Sequence, residues 1–247
     1  KYFDTGDFVL SDAYLSVIEA IKFSSAAVGV KVSIDWVNAK DFQKPNSDLG
    51  VLKKYDGIIV PGGFGETGIE GKINVIEYAR THGVPYLGLC YGMQLAVVEY
   101  ARHVAGLPGA HTVEIDPKAK DPVIDVMPDQ KQLIKIKKYG GTMRLGAYPA
   151  RLRKGTQAYE AYGKGEVSER HRHRYEVNPV YVERLSEAGM VFSGASPDCV
   201  LMEIAELPKS VHPFFVGTQF HPELQARPLS PHPLFTAFIK AALHNKM

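Results

Sequence analysis

Pro85-Tyr86-Leu87-Gly88-Leu89-Cys90-Tyr91-Gly92 joins a short apolar run to a cysteine held between two glycines. Pro85 to Leu89 reads as a buried strand, and Gly92 to Val104 as the helix that follows it. A Gly-x-Cys-x-Gly pattern at a strand-to-helix junction is a sharp elbow that lifts the nucleophile above the sheet. Glycines flank it because a β-carbon at either position would crowd the strained backbone. The thiol sits at a helix N-terminus, where the dipole favours the thiolate over the ordinary pKa of about 8.5. The bland alternative is a tight turn around a buried thiol.

The same logic extends outward. Asp56-Gly57-Ile58-Ile59-Val60 is a second buried strand, stopping at Pro61-Gly62-Gly63-Phe64-Gly65. Ile69 to His82 reads as a helix. Upstream, Tyr14 to Val28 has helical spacing behind the possible caps Ser11 and Asp12. Val30 to Val37 alternates as a strand does, and Lys40 to Leu49 reads as a loop. The later half offers strands at Val191–Ser193, Val200–Ile204 and Phe214–Thr218, the last able to return to the main sheet. A closing helix runs from His232 to Leu243, and Lys118 to Gly141 looks like an insertion or mobile loop. Strands alternating with helices predict an α/β fold with an open, mostly parallel sheet and helices on both faces. Such sheets bind ligands beyond their strands' carboxyl ends, so Gly63 and Cys90 are expected side by side. No repeat or linker divides residues 1–247, which read as one domain.

Composition sets the outer bounds. Hydrophobic content of 45% and charged content of 23% are ordinary for a globular chain. A formal charge of +2 argues against nucleic acid or a polybasic membrane anchor as partner. No apolar run is long enough to span a bilayer, and no signal peptide is expected. Two cysteines make no disulfide framework, so a cytoplasmic, reducing compartment is expected. Cys199 reads as a small buried hydrophobe in a turn before Val200. A first residue Lys1 in place of Met suggests a piece of a longer protein.

A cysteine nucleophile needs a base. Phe220-His221-Pro222-Glu223 supplies one after the apolar run Phe214 to Val216. In an extended segment residues two apart share a side, so His221 and Glu223 face one site. The carboxylate then holds the imidazole in one tautomer and stabilises its protonated form. The oxyanion formed by attack on an amide needs donors, and the backbone N–H groups of Tyr91 and Gly63 are candidates. Taken alone, His-Pro-Glu reads as a surface turn and Pro61 to Gly65 as an ordinary strand end. His171 and His173 lack a carboxylate or cysteine at ligand spacing, so no metal is assigned.

These segments together resemble the class I glutamine amidotransferases: the Gly-Gly turn, the elbow with Met93-Gln94, and the distant His-Pro-Glu. Further motifs resemble the glutaminase half of the CTP synthase family. They are Leu10 to Tyr14, Gly140-Gly141-Thr142-Met143-Arg144-Leu145-Gly146, Glu169 to Asn178, and His232-Pro233-Leu234-Phe235. The resemblance implies hydrolysis of L-glutamine, with Cys90 as nucleophile and His221 and Glu223 completing the triad. It puts Gly63 and Tyr91 at the oxyanion, and Gln94, Glu114 and Arg174 on the substrate. Glu114 suits the ammonium of free glutamine, and Arg174 its carboxylate. Phe64 is expected to pack on the aliphatic stem. The resemblance also implies a partner synthetase domain, N-terminal to this one, that uses ATP, UTP and Mg. No cofactor is implied in this domain, and GTP is implied as an activator.

Two positions depart from the family pattern. Tyr91 stands where leucine is usual, and Thr67 where an arginine is often found in the loop associated with GTP. Two rival readings stay open. One is a non-catalytic binding or assembly module, which would not require Cys90, His221 and Glu223 together. The other is a glutaminase serving guanine-nucleotide or carbamoyl-phosphate synthesis, or a stand-alone γ-glutamyl hydrolase, which the preceding gene sequence would discriminate.

Overall fold

A computed structural model describes residues 14–44, 46–126 and 143–245. Its strands are β1 (Ile58–Val60), β2 (Tyr86–Leu89), β3 (Ala110–Thr112), β4 (Asp121–Val126), β5 (Arg144–Leu152), β6 (Glu166–His173), β7 (Tyr175–Val177), β8 (Val191–Ala195), β9 (Met202–Glu206) and β10 (Phe215–Thr218). Seven form one sheet in the order β1-β2-β10-β9-β8-β5-β6. The remaining three form a small sheet, β3-β4-β7.

The first seven residues of apolar strand explain the layers. In β2, Tyr86 packs into one core with Ile58, Val60, Ile73 and Ile76, while Leu87 and Leu89 pack into the other with Val17, Leu234 and Phe238. Alternation therefore sends successive side chains to opposite faces. Helices α2 (Ile69–Thr81) and α3 (Tyr91–His103) cover the first face. Helix α1 (Leu15–Val28) and the closing helix Pro233–Asn245 cover the second. Each fully buried Leu or Phe contributes about 1.5–3 kcal/mol, so β2 is anchored from both sides. Helix α3 is buried continuously from Tyr91 to Ala101, because the small sheet closes over its outer side.

The α/β class and the two helical layers agree with expectation, as do the elements at Tyr14–Val28, Asp56–Val60, Ile69–His82, Pro85–Leu89, Gly92–Val104 and the closing helix. The sheet is more mixed than expected. Only β1, β2 and β10 run parallel; β10–β9, β9–β8, β8–β5 and β5–β6 are antiparallel. Strands joined as closely as β8 and β9 leave no room for a parallel crossover.

Other expectations need correction. Val30 to Val37 carries strand alternation but pairs with no strand among the described residues; it lines an apolar cavity of about 220 Å³ beside β1. Alternation records which faces are apolar, and a strand also needs a neighbouring backbone. Lys40 to Leu49 is not loop throughout: its start lies in the short 3-10 helix Ala39–Phe42, and its last residue opens a second, Leu49–Lys54. Part of the supposed insertion is the strand β4, whose Val123 and Ile124 are buried; its stretch from 127 to 141, like the caps Ser11 and Asp12, lies outside the described residues. Cys199 is exposed in a positive-φ turn, because the chain there belongs to the tip joining β8 to β9.

Candidate active site

Parallel pairing places the two glycine-bearing strand ends together, with Val60 opposite Gly88. On the other side of β2, the Cys90 N–H donates to the carbonyl of Thr218 at 2.6 Å. Cys90 itself has φ 49° and ψ −96°, a conformation non-glycine residues rarely adopt. Such strain, of order 1–3 kcal/mol, persists only where the surroundings hold it. The flanking glycines are the reason they can. A β-carbon on Gly92 would lie 2.2 Å from the Val60 carbonyl oxygen, and one on Gly88 2.8 Å from the Gly92 carbonyl carbon. Tyr86 Oη completes the elbow by donating to the Gly92 carbonyl at 2.9 Å.

His221 follows β10, and its N–H donates to the Arg170 carbonyl at 2.8 Å. Its Nδ1 lies 2.7 Å from Glu223 Oε1. The two are neighbours because Pro222 opens a single turn, Pro222–Leu224, and not because the segment is extended as expected. Burial by itself lowers the imidazole pKa. The charge of Cys90 and a side-chain hydrogen bond with it, followed by Glu223, outweigh burial and push His221 up to about 11. Glu223 is buried, and its Oε2 finds no hydrogen-bond partner among the described residues.

A cleft of about 710 Å³ opens over these groups, large enough for an amino acid. It is lined by Gly62, Gly63, Phe64, Cys90, Gln94, Glu114, Arg174, His221 and Glu223 among others. Every residue assigned to catalysis or substrate binding from the sequence is therefore at the cleft except Tyr91, which is buried as the first residue of α3. Phe64 is 79% exposed at the mouth. Gln94, one turn after Cys90, is buried and donates to the Tyr175 carbonyl at 2.9 Å. Glu114 Oε1 accepts from the Gly65 N–H at 3.0 Å. Burial raises the Glu114 pKa, while Gly65, Arg174 and Lys72 pull it back. The close approach at the Gly-Gly turn belongs to Gly62, where a β-carbon would lie 2.7 Å from His221 Cε1; Gly63 has room for one.

Reading the sequence missed Gln219. This residue is fully buried, and its Nε2 points at Cys90 Sγ from 3.7 Å while its Oε1 accepts from Gln94 Nε2 at 3.3 Å. The only available signal was its position two residues before His221. Also missed was a buried ionic cluster behind the cleft. Arg144 contacts Glu203 at 2.6 Å and Glu176 at 3.5 Å, and His171 Nδ1 lies 2.8 Å from His173 Nε2. Among the described residues, Glu77, Glu99 and His103 bring possible metal ligands together on α2 and α3, but Arg80 already forks onto Glu99 at 2.7–3.1 Å.

A strained cysteine on a strand-to-helix elbow, a His–Glu pair and an adjacent Gly-Gly turn are the groups that cleavage of an amide by a thiol would use. The chain belongs to the class I glutamine amidotransferases, whose family model matches residues 9–241. It is 56% identical to a CTP synthase of Rubrobacter xylanophilus over 95% of this chain and 41% of that protein. It is 53% identical to a CTP synthase of Pyrococcus abyssi over 96% of this chain and 43% of that protein. The chain thus spans less than half the length of these relatives. Among solved structures it is similar to a glutaminase domain of Trypanosoma brucei CTPS with bound acivicin. There the TM-score is 0.88 and the identity 33%, covering 99% of this chain and 91% of the other. Among the described residues no helix is long and apolar enough to cross a membrane.

Proposed function

We propose that the cleft hydrolyses L-glutamine to glutamate and ammonia through a thioester on Cys90. The observation that carries this reading is the partly buried His221 joined to Glu223 on one side and to Cys90 on the other, at the point where the elbow strains the cysteine backbone. The Cys90 thiolate attacks the side-chain carboxamide carbon. The resulting oxyanion accepts hydrogen bonds from the backbone N–H of Gly63 and of Tyr91, the latter in the first turn of α3, where N–H groups have no acceptor within the helix. Protonated His221 gives its proton to the departing nitrogen, and ammonia leaves with formation of the γ-glutamyl thioester. Neutral His221 then takes a proton from water as it attacks the thioester carbonyl, the C–S bond breaks, and glutamate leaves with the Cys90 thiolate and protonated His221 restored. Glu223 keeps the imidazole oriented through Nδ1. Glu114 meets the ammonium of the substrate, Arg174 its carboxylate, Gln94 the cleft floor and Phe64 the aliphatic stem.

The likeness to CTP synthases supports a further step in this reading, in which the ammonia aminates UTP to CTP in a partner synthetase domain. In this reading ATP, UTP and Mg belong to that domain, whereas activation by GTP would act through the loop of this domain that carries Thr67, where the arginine of the family pattern is replaced. Ammonia release from glutamine by Cys90→Ala, made in the intact gene product, tests the reading. Wild-type rates in that variant would sink it. A glutamine-like electrophile is expected to label Cys90 in a glutamine-protectable way. Exposed Cys199 serves as the reference thiol that glutamine does not protect.

A further inference from the structure

The Gly-Gly turn is held by side chains as well as by its own backbone. Tyr91 is 1% exposed, and its hydroxyl donates to the Gly65 carbonyl at 2.8 Å. Its ring lies against Gly63, where a β-carbon would sit 3.6 Å from Tyr91 Cδ1. Gly65 is gripped from its other pole too, its N–H donating to Glu114 Oε1 at 3.0 Å. Upstream, Tyr14 Oη reaches the Gly62 carbonyl at 3.4 Å. Gly65 has φ 75°, and the space where a β-carbon would stand is open, so no side chain packs over that face of the residue. Three side-chain hydrogen bonds thus reach the backbone of this loop, two of them at Gly65.

We propose that the Tyr91 hydroxyl is a positioning group that holds the Gly63 N–H at the oxyanion by anchoring Gly65. The inference rests on the glutaminase reading and adds a role for the side chain of a residue otherwise used only through its backbone N–H. One residue thus fixes both donors, one directly and one through the loop. Leucine, the residue expected at 91 from the family pattern, fills space there but offers no donor.

Two reactions at the same sulfur separate this role from a general effect on the fold. Acylation by glutamine builds an oxyanion, whereas alkylation by iodoacetamide displaces iodide at a saturated carbon and builds none. In the intact gene product, Tyr91→Phe is expected to lower kcat for glutamine hydrolysis about tenfold, a fraction of the 10²–10³ lost with an oxyanion donor itself. KM and the Cys90 alkylation rate stay within about twofold of wild type, since the bond lost is one the transition state needs. Tyr91→Leu is expected to behave the same way. Amide hydrogen exchange at Gly63–Gly65 is expected to speed up in both variants while β2 and α3 keep their protection. Wild-type kcat in Tyr91→Phe overturns the proposal, and so does alkylation that falls in step with hydrolysis or unchanged exchange in the loop. If wild type releases no more ammonia than Cys90→Ala, the glutaminase reading itself fails. If wild type exceeds Cys90→Ala and Tyr91→Phe matches wild type, only this inference fails.

Discussion

At the residue scale, the reactive group is shaped by neighbours that lie far away in the chain. Cys90 takes its backbone strain from Gly88 and Gly92, which sequence pattern made plain. Its side chain meets Gln219, which pattern did not reveal, because a lone glutamine carries no signal until β10 is laid beside β2. A donor aimed at sulfur favours the thiolate over the neutral thiol. Gln219→Leu is therefore expected to lower the rate of Cys90 alkylation at neutral pH about tenfold, the worth of one hydrogen bond to a charged group. Iodoacetamide labelling followed by mass spectrometry checks this, with Cys199 as internal reference. An unchanged rate would assign Gln219 to packing alone. Glu114 illustrates the opposite case. Its residue type suited an ammonium from the outset, but its hold on Gly65 required the folded loop.

At the scale of elements, the site is a meeting of three strand ends and one helix start. The strand–glycine junctions after β1 and β2 were legible because both interrupt apolar runs. Their spacing was not, and it decides which glycine is indispensable. A methyl group on Gly62 would stand 2.7 Å from His221 Cε1, so Gly62→Ala must displace the imidazole or the turn. Overpacking of this kind costs about 1–3 kcal/mol when absorbed, and here the group that gives way is the base. Gly62→Ala is expected to lose at least about 100-fold in glutamine hydrolysis, the scale of general acid–base assistance. Its thermal midpoint is expected to shift only a few degrees. Ammonia release and differential scanning calorimetry on the same preparation test both parts. The His221–Glu223 pairing was anticipated for the wrong local reason, since a single turn started by Pro222 brings the two together.

At the scale of the whole molecule, a buried ionic cluster ties the two sheets behind the cleft. Arg144 on β5, His171 and His173 on β6 and Glu203 on β9 belong to the large sheet, and Glu176 on β7 to the small one. Burial, then Arg144 and His221, depress the His171 pKa to about 3. Burial raises Glu203 to about 7 against the pull of Arg144. The unfolded chain takes a proton on His171 near its ordinary 6.5 that the folded chain refuses, so stability is lost as pH falls from 6.5 towards 3. Glu203 acts oppositely: the folded chain keeps a proton that the unfolded chain releases near 4.5, so its contribution is lost as pH rises from 4.5 to 7. Below 4.5 only the histidine of this pair acts. His171→Gln is expected to flatten the acid loss of stability between pH 4.5 and 3 by about one proton, or ~1.4 kcal/mol per pH unit. Urea midpoints across that range measure it, and a wild-type slope would contradict the assignment.

The amino-acid sequence by itself determined the α/β class, the two glycine-flanked strand ends and the residue types a thiol-based amide cleavage requires. Those features are local: apolar runs, glycines at forced turns and a cysteine at a helix start are set within a few residues of chain. Tertiary structure alone decided how many strands run parallel and why Val30 to Val37 forms no ladder among the described residues. It also decided which side chains reach Cys90 and the Gly-Gly turn. Pairing and packing join residues more than a hundred positions apart, as Cys90 and Gln219 are, and no local pattern encodes a contact whose partner is chosen by the rest of the fold.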